Sequence, residues 1–206
     1  MDNNSEIVRA FLEKWTKNPE RKPQRADIKG VFRIDNPTLK SRFDQYCANL
    51  SSPNVSWHYH GTSIKCYLLQ SRTFCSDTNC GICGISGVGF DKARIGTHVR
   101  FQRFGKAFCL APNSSKCHEY TLGIGGLRAL LYCQVALGNP YYTTCDTEGY
   151  QSPPPGYNSV YGKVGTHRSS KGTLNYDEVA IYGVSEAILP KYIIVYQKDG
   201  IQGLLR

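Results

Sequence analysis

Long apolar runs are missing from this chain. Nowhere do apolar residues follow one another for the roughly 18 positions that a membrane-crossing helix needs, so no membrane span and no membrane partner is expected. Acidic residues are scarce: 16 Asp and Glu stand against 25 Lys and Arg, leaving a net charge of +9. Such a surplus attracts nucleic acid, acidic lipid or an anionic dinucleotide, or simply keeps the surface solvated. There is no Walker loop and no dinucleotide-binding glycine fingerprint after a strand, and "GIGG" at 123–126 is too short to stand for either. No internal repeat is present. The nine cysteines do not make an even set, which argues against a disulfide framework and for metal binding or buried thiols. The opening "MDNNSEIVRAF" lacks the basic-then-apolar order of a secretory signal. The protein is therefore expected inside the cell, in cytoplasm or nucleus, where thiols stay reduced.

What is present fits one sizeable domain. The 206 residues, 40% of them hydrophobic, are enough to bury a core. Residues 5–16 read as an amphipathic helix capped by Ser5, with Ile7, Val8, Phe11, Leu12 and Trp15 on one face. The proline-broken basic run "TKNPERKPQRAD" then reads as a linker, so residues 1–27 form a helix and linker ahead of a domain spanning 28–206. "IKGVFRI" is strand-like, and "NPTLKSRFDQYCANL" carries Leu39, Phe43, Tyr46 and Leu50 at helical spacing. "VSWHYH" is a short strand, while residues 71–106 are Gly- and Cys-rich and read as long loops. "RALLYCQVAL" and "YIIVYQ" are nearly continuous apolar runs, as in strands covered on both faces. Helices come mainly early and short strands late, which suggests α+β rather than repeating βαβ units.

Three stretches carry candidate chemistry. In "LNYDEVAIY", strand alternation sets Leu174, Tyr176, Glu178, Ala180 and Tyr182 on one face. A carboxylate there is either a solvated strand edge or a group held for contact with hydroxyls or a developing cation. "FGKAFCLAPNSSKCHEY" reads as a strand, a turn and a helix starting at Asn113. "WHYHGTSIKC" holds His58 and His60 two residues apart and leads into cysteines 66, 75, 80 and 83, spaced C-x8-C-x4-C-x2-C. A C-x2-C pair suits a tetrahedral zinc knuckle that two more cysteines would close. Separate reduced thiols or a redox pair are the alternatives. His58 is either a substitute ligand or a packed group.

The order of HGT, FGK…NSSK…Y, PPPGYNSVYG, NYDEVAIY and LPKYIIVYQ resembles the catalytic domain of the poly(ADP-ribose) polymerase family over roughly residues 29–197. Within that family the motifs resemble those of tankyrase-like members and of short fungal or plant-type domains. The resemblance implies an ADP-ribosyltransferase fold of two packed, mainly antiparallel sheets with flanking helices. It also implies NAD as substrate. By the same resemblance, His60 holds a ribose hydroxyl and Gly61 binds the nicotinamide carboxamide through its backbone. Thr62 lies beside the adenosine ribose, Lys116 stands at the pocket edge and Tyr120 stacks on nicotinamide. Glu178 bonds the nicotinamide ribose, so His60 and Glu178 are the candidate catalytic pair. Two positions depart from the family pattern. Cys109 replaces the pocket tyrosine, and Cys117 replaces a serine that bonds the carboxamide. A thiol is a weak donor, so NAD is expected to bind about tenfold more weakly.

The implied activity is transfer of ADP-ribose to a protein acceptor, the chain itself included, with single units favoured. Polymer synthesis, NAD hydrolysis and a degenerate binding module are the alternatives. Tankyrases also carry a zinc site, but after the "GIGG" segment rather than at Cys66, Cys75, Cys80 and Cys83.

Overall fold

A computed structural model of the chain describes residues 3–15, 26–97, 102–165 and 174–198. Most of the basic run, residues 16–25, lies outside the described residues.

The first helix, α1 (Asn3–Glu13), starts before the expected Ser5 cap, which falls inside its first turn. Asn3, Asn4 and Ser5 are all good cap formers, so composition does not fix where that first turn begins. Phe11 is fully buried and Ile7 is buried, but Leu12 is exposed, so the apolar stripe is narrower than its sequence suggests. Phe11 stacks on Trp15 at 5.2 Å and meets the Tyr59 ring edge-on at 5.9 Å.

Strand β1 (Ala26–Arg33) leads to α2 (Pro37–Ala48), the helix expected from the apolar stripe in this stretch. The Asn36 side chain accepts the Leu39 N–H at 3.1 Å, and proline opens the helix. Strand β2 (Val55–Gly61) is followed by the short α3 (Leu68–Ser71) and by α4 (Gly81–Val88). Thus 71–106 is not all loop. In α4, Ile82, Cys83 and Ser86 are buried on one side. Three glycines in "GICGISGV" mask that face, because glycine is a poor helix former.

Then come β3 (Phe108–Leu110), α5 (Ser114–His118), β4 (Leu127–Ala136), β5 (Pro140–Thr143), β6 (Ser159–Gly162), β7 (Glu178–Ile181) and β8 (Ile188–Lys198). The strands form two sheets of four, ordered β1-β8-β4-β2 and β3-β7-β6-β5. Every pairing is antiparallel except β5 with β6. This is the expected α+β arrangement.

The core explains the apolar runs. In β4, Ala129, Leu131, Cys133 and Val135 face the space between the sheets. Leu130 faces the other way, toward α1, in a second cluster with Phe11, Tyr59 and Tyr196. In β8, Ile193 and Val195 join the first cluster, and Tyr192, Ile194 and Tyr196 join the second. Both strands are covered on both faces, so alternation disappears from their sequences. α2 closes one end, packing Leu39 and Phe43 on Ala136 and Leu189. Among the described residues, no helix is long and apolar enough to cross a membrane.

Candidate active site

The end of β2 presents His60 and Gly61. His60 Nδ1 lies 3.0 Å from the Cys109 carbonyl on β3. A carbonyl only accepts, so Nδ1 carries the proton and Nε2 keeps its lone pair for a ligand hydroxyl. Burial lowers the His60 pKa, which favours this neutral form. The ring is braced edge-on by Phe90 at 4.9 Å.

Gly61 leaves no room for a side chain. A Cβ there would sit 2.0 Å from the Cys117 carbonyl oxygen and 3.2 Å from the Tyr120 Cβ. The close approach of α5 to the end of β2 therefore requires glycine. Cys117 itself is buried, and its thiol donates to the Tyr59 carbonyl at 3.0 Å. Burial pushes that thiol's pKa up. Tyr120 follows α5 and is largely exposed, and its hydroxyl accepts from Lys116 Nζ at 3.1 Å.

Glu178 opens β7 and is only 5% exposed. Its Oε1 lies 3.2 Å from Lys116 Nζ and 3.5 Å from Arg103 Nε. A buried carboxylate needs such partners, because an unpaired one would cost several kcal/mol. Lys116 is subject to opposed effects: burial lowers its pKa, but Glu178 and Tyr120 raise it, and the net shift is upward. Cys109 joins the two halves of the site. Its carbonyl orients His60, and burial with the Glu178 charge pushes its thiol up to about 12. At neutral pH the group is a thiol and no nucleophile.

Sequence reading missed Arg103 and Asp146. Arg103 Nη1 also lies 2.5 Å from Asp146 Oδ1, so the cation bridges two carboxylates. The Tyr182 hydroxyl donates to the Phe104 carbonyl at 2.7 Å, which pins the neighbouring backbone and sets Arg103 beside Glu178. An arginine ahead of a Phe-Gly turn was visible. Its partners, 43 and 75 positions away, were not.

The expected metal ligands converge. The sulfur atoms of Cys66, Cys75, Cys80 and Cys83 all lie within 4.8 Å of one another, and those of Cys66 and Cys83 are 3.6 Å apart. Zinc bonded to four thiolates at ~2.3 Å has sulfur atoms about 3.8 Å apart, so the set fits a tetrahedral ion. The Lys65 and Cys75 backbone N–H groups point at the sulfurs of Cys80 and Cys83, at 3.3 and 3.4 Å. His58 is no part of the cluster. It is buried between Ser56 Oγ, 3.4 Å from its Nδ1, and the Tyr161 ring, 6.3 Å away between centroids. Thr62 packs on Gly81, at the start of α4.

Two anchors of opposite kind therefore lie near Cys109: a neutral histidine with a free acceptor nitrogen, and a buried carboxylate flanked by cations. The family model described as poly(ADP-ribose) polymerase catalytic domain matches residues 4–200, nearly the whole chain. The chain belongs to the poly(ADP-ribose) polymerase catalytic-domain family, the ADP-ribosyltransferases that take NAD as substrate.

Proposed function

We propose that this chain is an active transferase that moves ADP-ribose from NAD to a protein acceptor, its own surface included, one or a few units at a time. The observation that carries this reading is the burial of Glu178 between Lys116 and Arg103, close to the Cys109 whose carbonyl orients His60. In the reaction the bond between the ribose C1′ and the nicotinamide nitrogen breaks. Its electron pair neutralises the pyridinium, and nicotinamide leaves uncharged. The ribose is left with oxocarbenium character, as in glycoside cleavage. Glu178 stabilises that positive charge and polarises a ribose hydroxyl. His60 Nε2 accepts from a second ribose hydroxyl and fixes the sugar. Backbone groups at Gly61 bind the carboxamide and Tyr120 stacks on the ring. Thr62 stands by the adenosine ribose. The acceptor nucleophile then bonds to C1′ and gives up its proton to Glu178. Water in the acceptor's place would make the same site an NAD glycohydrolase.

Single units are favoured because Cys109 offers no aromatic wall and the pocket holds its substrate less firmly. Cys109 and Cys117 also support a second reading, a binding module that has lost catalysis. Incubation with labelled NAD separates the two: a transferase incorporates label and releases nicotinamide, while a pure binding module does neither.

As part of the same reading, Cys66, Cys75, Cys80 and Cys83 hold one zinc ion. Four thiolates leave no open position, so the ion is structural.

A further inference from the structure

The NAD lip and the cysteine cluster meet at one buried hydroxyl. Ser63 directly follows Thr62 and is 7% exposed. Its Oγ donates to the Asn79 carbonyl at 2.6 Å and accepts the Gly81 N–H at 3.1 Å. Its own carbonyl takes the Ile82 N–H at 3.0 Å. These three partners surround Cys80, one of the four clustered cysteines. Thr62 is seated on the same turn, since a Cβ on Gly81 would lie 2.1 Å from Thr62 Oγ1. Residues 62 and 63 are thus fastened to the Cys80–Cys83 turn by side chain, backbone and close packing together.

That turn's other flank is tied by sulfur and by a few surface hydrogen bonds, such as Arg94 Nη1 donating to the Thr78 carbonyl at 2.6 Å. From Ser71 to Asn79 every residue is exposed except Cys75, which is half-buried. Apolar burial cannot fix such a segment. Its one inward side chain is the cysteine that meets Cys66, Cys80 and Cys83. A metal ion joining the four sulfurs would close the loop and hold the turn against Ser63.

We infer that Ser63 is a positioning residue that couples the four-cysteine metal site to the NAD lip, so that occupancy of the metal site sets affinity for the dinucleotide. This rests on the zinc and NAD readings above. The metal touches no substrate. It fixes the turn, the turn fixes Ser63 and Thr62, and these fix the backbone at Gly61.

The experiment is a double-perturbation cycle. Full-length wild type and Ser63→Ala are each prepared zinc-loaded and chelator-treated. Zinc per chain is measured by elemental analysis, NAD affinity by calorimetry, and KM and kcat by nicotinamide release. In the wild type, removing zinc is expected to weaken NAD binding about tenfold, the effect of losing one or two hydrogen bonds. Ser63→Ala is expected to keep its zinc and lose about the same affinity, with KM rising and kcat holding. Chelating zinc from Ser63→Ala should then add little, because the link is already cut. Additive losses, or an NAD affinity that neither zinc removal nor Ser63→Ala changes, would overturn the coupling. Protein that carries no zinc and binds NAD fully would overturn the zinc reading itself. Should Ser63→Ala not fold, Gly81→Ala tests the same link through Thr62: weaker NAD binding with zinc retained supports it, and unchanged binding refutes it.

Discussion

Lys116 and Glu178 form an ion pair, Nζ to Oε1 at 3.2 Å, that joins α5 to β7 across the candidate active site. Arg103 adds a second cation at 3.5 Å. The carboxylate is thereby kept buried, and in the proposed reaction it faces the positive charge that develops on the ribose. Glu178→Gln keeps the shape and removes the charge. It is expected to lower the rate of nicotinamide release by about 10²–10³-fold, the usual loss for one electrostatic contact to a transition state. NAD affinity, measured by calorimetry, should change only a few-fold. Equal losses in affinity and rate would mean that Glu178 serves binding alone.

Gly61 and the Cys117 carbonyl are in such close contact that Gly61→Ala must push β2 and α5 apart. The overpacking is expected to cost about 1–3 kcal/mol of stability. The larger effect falls on the NAD site, because the displaced residues include His60 and Tyr120. Thermal unfolding should show a modest drop in Tm while nicotinamide release falls to background. Full activity in this variant would remove the backbone of Gly61 from the site.

The Cys117 thiol donates to the Tyr59 carbonyl, and a hydroxyl at that position is the stronger donor and can turn toward a ligand. Cys117→Ser is expected to tighten NAD binding several-fold, with Tm little changed. Calorimetric titration with NAD checks this. Unchanged affinity would mean that the position does not reach the carboxamide.

His58 links stability to pH. Burial lowers its pKa from 6.5 to about 4. Between those values the unfolded chain binds a proton that the folded chain refuses, so stability is complete above pH 6.5 and falls as the pH drops toward 4. At pH 5 the loss from this residue is about 2 kcal/mol. For a chain of this size that lowers Tm by about 4–8 °C. His58→Gln, which has no proton to gain, should make the Tm profile between pH 7 and 5 less steep, with the buried His60 and His118 keeping part of the slope. A profile as steep as the wild type's would place the sensitivity elsewhere.

Much of this was legible in the sequence, for identifiable reasons. Leu39, Phe43 and Tyr46 announced α2 because helical spacing of apolar residues is a local signal. The apolar runs of β4 and β8 announced strands covered on both faces. α4 was hidden because glycine dilutes its buried face, and the start of α1 was misplaced because three adjacent residues could cap it equally well. In the candidate site, His60, Gly61, Lys116, Cys117, Tyr120 and Glu178 were singled out through the order of motifs, and the fold brings His60, Lys116, Cys117 and Glu178 close to Cys109. Arg103 and Asp146 were missed because an ion pair between loops leaves no periodic trace. The link from Ser63 to the cysteine turn was missed for the same reason: it consists of backbone hydrogen bonds, which side-chain patterns do not record.

Intact-mass analysis after incubation with NAD tests the central claim most directly. The wild type is expected to gain whole ADP-ribose units, one or a few per chain, and to release nicotinamide, while Glu178→Gln stays at its starting mass. A wild type that binds NAD yet gains no mass and releases no nicotinamide would contradict it.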